Sequence, residues 1–292
     1  MVLYLYLCHF SPRRGEKMTH KELKIIGKRK SYDGLPLGVI ATTEGRKAMR
    51  NQPASRWEQL CAAAVHIYTA TGVIWGFLMI VAAFRGDATL ALWVNLVAQI
   101  VDGTDGALAR RFRVREILPS VDGGRLDDIV DYLTYVFAPI VLLWELGYLP
   151  PGIAGIIIAV IPLLASSYQF SQANAKTEDH SFLGFPSYWN VVAFYVVVLN
   201  LSPTLTAIAL VFWSIMVFVP IHYIYPSRMS SLRTLTLALT ALWLISYGLI
   251  LLQMPAPNQL LVMLSLLYMA YYFFLSVYMT LVKTQRRHVP AD

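Results

Sequence analysis

The chain has 292 residues, 57% of them hydrophobic and 14% charged, with a formal net charge of +7 at pH 7. That much apolar residue exceeds what one soluble core can hide and excludes an ordinary water-soluble domain. Cys8 and Cys61 are the only cysteines, which excludes a disulfide framework or a cysteine-based zinc site.

Residues 1–58 are polar and basic, with Lys21, Lys24, Lys28, Arg29 and Lys30 close together and Pro36 and Pro53 following. The apolar start from Val2 to Phe10 has no basic n-region and no small-residue cleavage site, so it does not read as a signal peptide. The segment reads as a basic juxtamembrane stretch on the cytoplasmic side, with Met18 as an alternative start.

A transmembrane helix needs about 20 mostly apolar residues. Such stretches follow at roughly 59–83, 89–109, 125–147, 152–172, 187–201, 204–224, 232–252 and 259–281. They are separated by helix-ending clusters such as Leu149-Pro150-Pro151-Gly152 and Pro255-Ala256-Pro257-Asn258. The expected architecture is an all-α, polytopic transmembrane helix bundle of about eight spans occupying 59–285, with both termini in the cytoplasm.

Orientation follows from the basic residues, which are retained on the cytoplasmic side. Of 24, twelve precede the first span, five lie from Arg110 to Arg125, and Lys176, Arg228, Arg233, Lys283, Arg286 and Arg287 fall in later inner segments; only Arg85 lies outside. Inner loops beside anionic lipid head groups account for this charge, so nucleic acid is not an expected partner. The lipid bilayer is. A homodimer is one expectation for the assembly of the chain.

Seven of the 17 acidic residues fall between Asp102 and Asp131, and four of them sit at the inner ends of the second and third spans. Asp102 and Asp105 are three positions apart, Asp127 and Asp131 four, so each pair shares a helix face. An ionised carboxylate at membrane depth costs roughly 2.5–3.5 kcal/mol even on the lenient insertion scale, which requires a compensating partner. Four hard oxygen donors with no Cys or His nearby suit Mg²⁺ or Mn²⁺. Gly103, Gly106, Ala107, Ala109, Gly123 and Gly124 leave room beside the acids, although small residues also serve helix packing. Arg110, one turn past Gly106, places positive charge for a phosphate on that face.

The row Asp102-Gly-Thr-Asp105-Gly106-Ala-Leu-Ala109-Arg110, twelve residues, then Gly123-Gly-Arg-Leu-Asp127-Asp-Ile-Val-Asp131 resembles the CDP-alcohol phosphotransferase family. That family's pattern is D-x-x-D-G-x-x-A-R, a spacer, then G-x-x-x-D-x-x-x-D, and all eight defining positions are present. Its usual spacer is eight residues; Arg111 to Asp122 makes twelve. The longer spacer, the eight spans and the segments Ala64 to Gly72 and Phe185 to Asn190 are similar to the bacterial phosphatidylcholine-forming branch.

The resemblance implies attack of an alcohol oxygen on the β-phosphorus of CDP-diacylglycerol, with CMP leaving and two divalent cations, Mn²⁺ or Mg²⁺, bound at the site. It implies Asp102, Asp105, Asp127 and Asp131 as metal ligands, Asp131 also as the catalytic base, and Gly106, Ala109, Arg110 and Gly123 as the lining of the CDP-lipid site. Asp122 and Asp128 read as caps or solvated charges. The branch implies choline, a cation without N–H donors that is best held by aromatic faces. Tyr188, Trp189, Asn190 and Tyr223 are the candidate choline-binding residues, though interfacial enrichment of Tyr and Trp explains the same rings. Two alternatives stay open: another acceptor, as in phosphatidylserine or phosphatidylglycerophosphate synthesis, and a cation transporter, since intramembrane carboxylates also mark ion pathways.

Overall fold

The computed structural model of the chain describes residues 54–172, 181–226 and 232–287. Most of the expected juxtamembrane segment, with Met18, and also Lys176 and Arg228, lie outside these residues.

Helix α1 (Arg56–Phe84) begins at a capping box: the Ser55 hydroxyl accepts from the Glu58 N–H at 3.2 Å while the Glu58 carboxylate accepts from the Ser55 N–H at 2.9 Å. It stops at Gly86, whose φ of 70° suits a residue without a Cβ. Asp87 then caps α2 (Ala88–Arg111) by accepting from the Leu90 N–H at 2.8 Å. The tight turn makes α1 and α2 antiparallel neighbours.

The twelve-residue spacer is ordered. A short helix α3 (Val114–Ile117) inserts Val114 against Ala62 and Val65 of α1, so the longer linker is packed onto the inner end of that helix. Asp122, expected as a cap or a solvated charge, caps α4 (Gly123–Asp131) by accepting from the Gly124 and Arg125 N–H groups. The helix continues through a π-helical turn, Tyr132–Phe137, into α5 (Ala138–Glu145).

After α6 (Ile153–Ser171) come α7 (Trp189–Val198), α8 (Pro203–Met216), α9 (Arg233–Leu251) and α10 (Gln259–Arg287). Among the described residues, four helices are long and apolar enough to cross a membrane: α1, α6, α9 and Gln259–Leu281 of α10. Their outer faces carry exposed Ile67, Phe77, Ile157, Leu164, Leu242 and Leu267, the surface a lipid environment covers.

Two of the expected spans are shorter as helices. The stretch 187–201 forms only the ten-residue α7, about 15 Å long at 1.5 Å per residue, bounded by positive φ at Ser187 and Asn200. It is buried on nearly every side, from Ala193 to Val198 without interruption. The stretch 204–224 stays helical only to Met216; Val219 precedes Pro220, a pairing that disfavours continued helix.

Beyond it lies a departure from the all-α expectation. Strand β2 (His222–Ile224) pairs antiparallel with β1 (Ser181–Leu183), in the register Ser181 to Ile224, Phe182 to Tyr223 and Leu183 to His222. Three further backbone groups of β2 are satisfied by α10: the His222 N–H donates to Thr280 at 2.8 Å, the Ile224 N–H to Ser276 at 3.2 Å, and the Tyr272 hydroxyl donates to the Ile224 carbonyl at 3.0 Å. Four-residue spacing on α10 thus supplies one polar rail for the strand.

Candidate active site

Close packing of α1 against α4 positions the acidic residues. A Cβ on Gly72 would run into the side chain of Val130, and one on Gly76 would meet Leu133 Cγ at 2.8 Å. One turn before Gly72 on α1, the Tyr68 hydroxyl shares a 2.7 Å hydrogen bond with Thr104 of α2, between the two aspartates of that helix. Helices α2 and α4 are therefore registered on a common neighbour.

One carboxylate oxygen from each of Asp102, Asp127 and Asp131 lies within 4.8 Å of the other two, and all three residues are half-buried. Like charges about 4 Å apart repel by roughly 4 kcal/mol per pair at an effective dielectric of 20. The Tyr135 hydroxyl donates to Asp102 Oδ2 at 2.5 Å, which helps one carboxylate but supplies no positive charge. An all-oxygen donor set with this repulsion fits a hard divalent cation.

Asp105 is not among the three converging acids. It is 6% exposed and turns toward Thr69 of α1, where the charges of Asp102 and Arg110 act on it in opposite directions. Arg110 folds back along α2: its Nη1 lies 3.3 Å from where a Gly106 Cβ would stand. Ala109 is half-buried on the next turn. Gly123, at the start of α4, faces His66 of α1, whose ring Cε1 would lie 3.1 Å from a Cβ there. His66 Nε2 is buried without a hydrogen-bond partner among the described residues.

The four candidate choline residues separate. Trp189 is fully buried, its indole N–H donating to Ser166 at 2.7 Å. Asn190 is also fully buried; its side-chain oxygen accepts from the Val191 N–H, and its carbonyl accepts from Asn95. Tyr223 is 1% exposed and lies against Tyr272 and Phe185. Tyr188 alone keeps partial exposure, between Tyr135 and Tyr272.

Three side chains at the site were not singled out individually from the sequence: His66, Tyr135 and Tyr272. Tyr135 was within reach, because it stands four residues after Asp131 and eight after Asp127, on the same stripe. Tyr272 carries no such signal in a helix rich in tyrosine.

Residues 64–284 match the sequence profile of the CDP-alcohol phosphatidyltransferase family. The chain is 40% identical over 223 residues to the phosphatidylcholine synthase of Legionella pneumophila, covering 74% of this chain and 87% of that protein. It is 37% identical over 217 residues to the phosphatidylcholine synthase of Pseudomonas aeruginosa, covering 74% and 90%. With the phosphatidylcholine synthase of Borreliella burgdorferi it shares 34% over 230 residues, covering 78% and 97%.

Proposed function

The chain belongs to the CDP-alcohol phosphatidyltransferase family, and on that basis we propose that it transfers the phosphatidyl group of CDP-diacylglycerol to choline, releasing CMP. The observation that carries this reading is the meeting of Asp102, Asp127 and Asp131. Toward Gly106, Arg110 and Gly123 there is small-residue space and a guanidinium for a diphosphate; toward Tyr135 and Tyr188 there are aromatic rings for a quaternary ammonium.

In the proposed reaction the choline oxygen forms a bond to the β-phosphorus, and the bridge to the α-phosphate breaks, so that CMP leaves. Asp131 accepts the hydroxyl proton, for which it needs a lone pair within hydrogen-bond reach. Arg110 holds the diphosphate, and Gly106, Ala109 and Gly123 keep the backbone close to it. Two divalent cations, Mg²⁺ or Mn²⁺, when bound by Asp102, Asp105, Asp127 and Asp131, supply charge neutralisation for the attacking and leaving oxygens. The choline end lies at Tyr188, with Trp189, Asn190 and Tyr223 behind it. Arg111, Arg113, Arg115 and Arg125, all exposed near the acidic cluster, support an active site open to the cytoplasm. The reading is completed by eight membrane crossings in a bacterial inner membrane, both chain ends inside, and a catalytic domain over 59–285.

A head-group competition tests it. Purified protein with labelled CDP-diacylglycerol should release CMP with choline in preference to serine, ethanolamine, glycerol phosphate and inositol phosphate. Preference for any of these four sinks the choline assignment.

A further inference from the structure

Burial separates the rings that a ligand can reach from those that only support them. Trp189 and Asn190 are 0% exposed and Tyr223 1%, so their faces are already taken by the protein. Tyr188 retains surface, and two other partly exposed tyrosines stand beside it from different elements. The Tyr135 ring, from the π-helical turn, is centred 5.9 Å away at 46°, and the Tyr272 ring, from α10, 6.1 Å away at 58°. Rings tilted by these angles do not cover each other's faces, unlike a stacked pair.

The second row is ordered as backing. Phe185 meets Tyr188 edge-on at 6.5 Å, and Tyr223 stacks behind Tyr272 at 6.3 Å. Tyr272 is held by its hydroxyl on the Ile224 carbonyl, so the paired strands set the position of this ring. Tyr135 is held by its hydroxyl on Asp102, which puts the rings next to the acidic cluster. Choline has two carbons between nitrogen and oxygen, short enough for its hydroxyl to reach the carboxylates while its methyl groups rest on rings.

We propose that Tyr135, Tyr188 and Tyr272 form the seat of the choline ammonium and set the preference for a fully methylated head group. This rests on the choline reading above. A trimethylammonium has no N–H and loses no hydrogen bond against the ring faces, whereas the ammonium of ethanolamine has three donors that ring faces satisfy poorly. The nearby carboxylates add attraction for the cation but not discrimination between the two amines.

The test uses full-length purified enzyme and three readings: equilibrium binding of radiolabelled choline, KM for choline and KM for CDP-diacylglycerol. Tyr188→Leu and Tyr272→Leu should weaken choline binding and raise its KM about thirtyfold, with the CDP-lipid KM within about twofold. Tyr188→Phe and Tyr272→Phe, which keep the ring but lose its hydroxyl, should be impaired at least about fivefold less than the Leu variants, and the Leu variants should lose much of the choline-over-ethanolamine preference. Met at the same positions gives the same readings where Leu prevents assembly. An unchanged choline KM, an equal rise in both KM values, or Phe variants as impaired as Leu variants would overturn the proposal. If the parent enzyme releases no CMP with choline, the choline reading itself fails, a result distinct from all of these.

Discussion

The Tyr135 hydroxyl donates to Asp102 Oδ2 at 2.5 Å, joining the π-helical turn that follows α4 to the carboxylate on α2. π-helical turns are rare and are often found at functional sites. Here the turn carries the third member of the stripe formed by Asp127, Asp131 and Tyr135. Tyr135→Phe keeps the ring and removes one hydrogen bond to a charged group, worth about 1.5–3 kcal/mol. Turnover should fall about tenfold or more, while the choline KM stays within about twofold. Initial rates across choline concentrations decide it: a raised choline KM with unchanged turnover would contradict this role.

The converging acids lead to opposite expectations for activity and stability. Asp102→Asn, Asp127→Asn and Asp131→Asn should each lower activity by at least about a thousandfold. In excess chelator each variant should unfold no earlier than the parent, because one of three mutually repelling charges is gone. Added Mg²⁺ or Mn²⁺ should raise the parent's unfolding temperature more than the variants'. Thermal unfolding with and without metal measures both; variants less stable than the parent in chelator would contradict net repulsion among the three carboxylates.

At Gly72, α1 lies directly against Val130 of α4. Gly72→Ala drives a methyl group into Val130 and should cost about 1–3 kcal/mol, with activity falling because α4 carries Asp127 and Asp131. Gly103→Ala, in the interior of α2 where a Cβ meets nothing within 4 Å, should leave stability unchanged or raise it by up to about 1 kcal/mol. Equal unfolding temperatures for the two variants would refute the close contact.

Sidedness tests the topology. In a background without Cys8 and Cys61, a cysteine replacing Arg287 and one replacing Ala256 should label from opposite sides of the membrane, since 23 of 24 basic residues are assigned to the cytoplasm. Labelling from the same side would mean that α9 and α10 do not form a pair of crossings.

The acidic cluster was legible because its information is local: charge at apolar depth and spacings of three and four, with Asp122 readable as a cap before the second pair. The same spacing placed Asp105 beside Asp102, but a three-residue step leaves it rotated toward α1, where Thr69 faces it. The strands were not legible. Each has three residues, they lie far apart in the chain, and β2 depends on Thr280, Ser276 and Tyr272 of another helix. Nor was the orientation of α7: an almost wholly apolar run gives no sign of which side faces a ligand, and Trp189 and Asn190 turned into the core.

The most direct test of the account is the stoichiometry of products from CDP-diacylglycerol and labelled choline. The account predicts CMP and labelled phosphatidylcholine in equal amounts, no CMP when choline is left out, and neither product from Asp131→Asn. CMP released at the same rate without choline, or labelled product formed undiminished by Asp131→Asn, would contradict it.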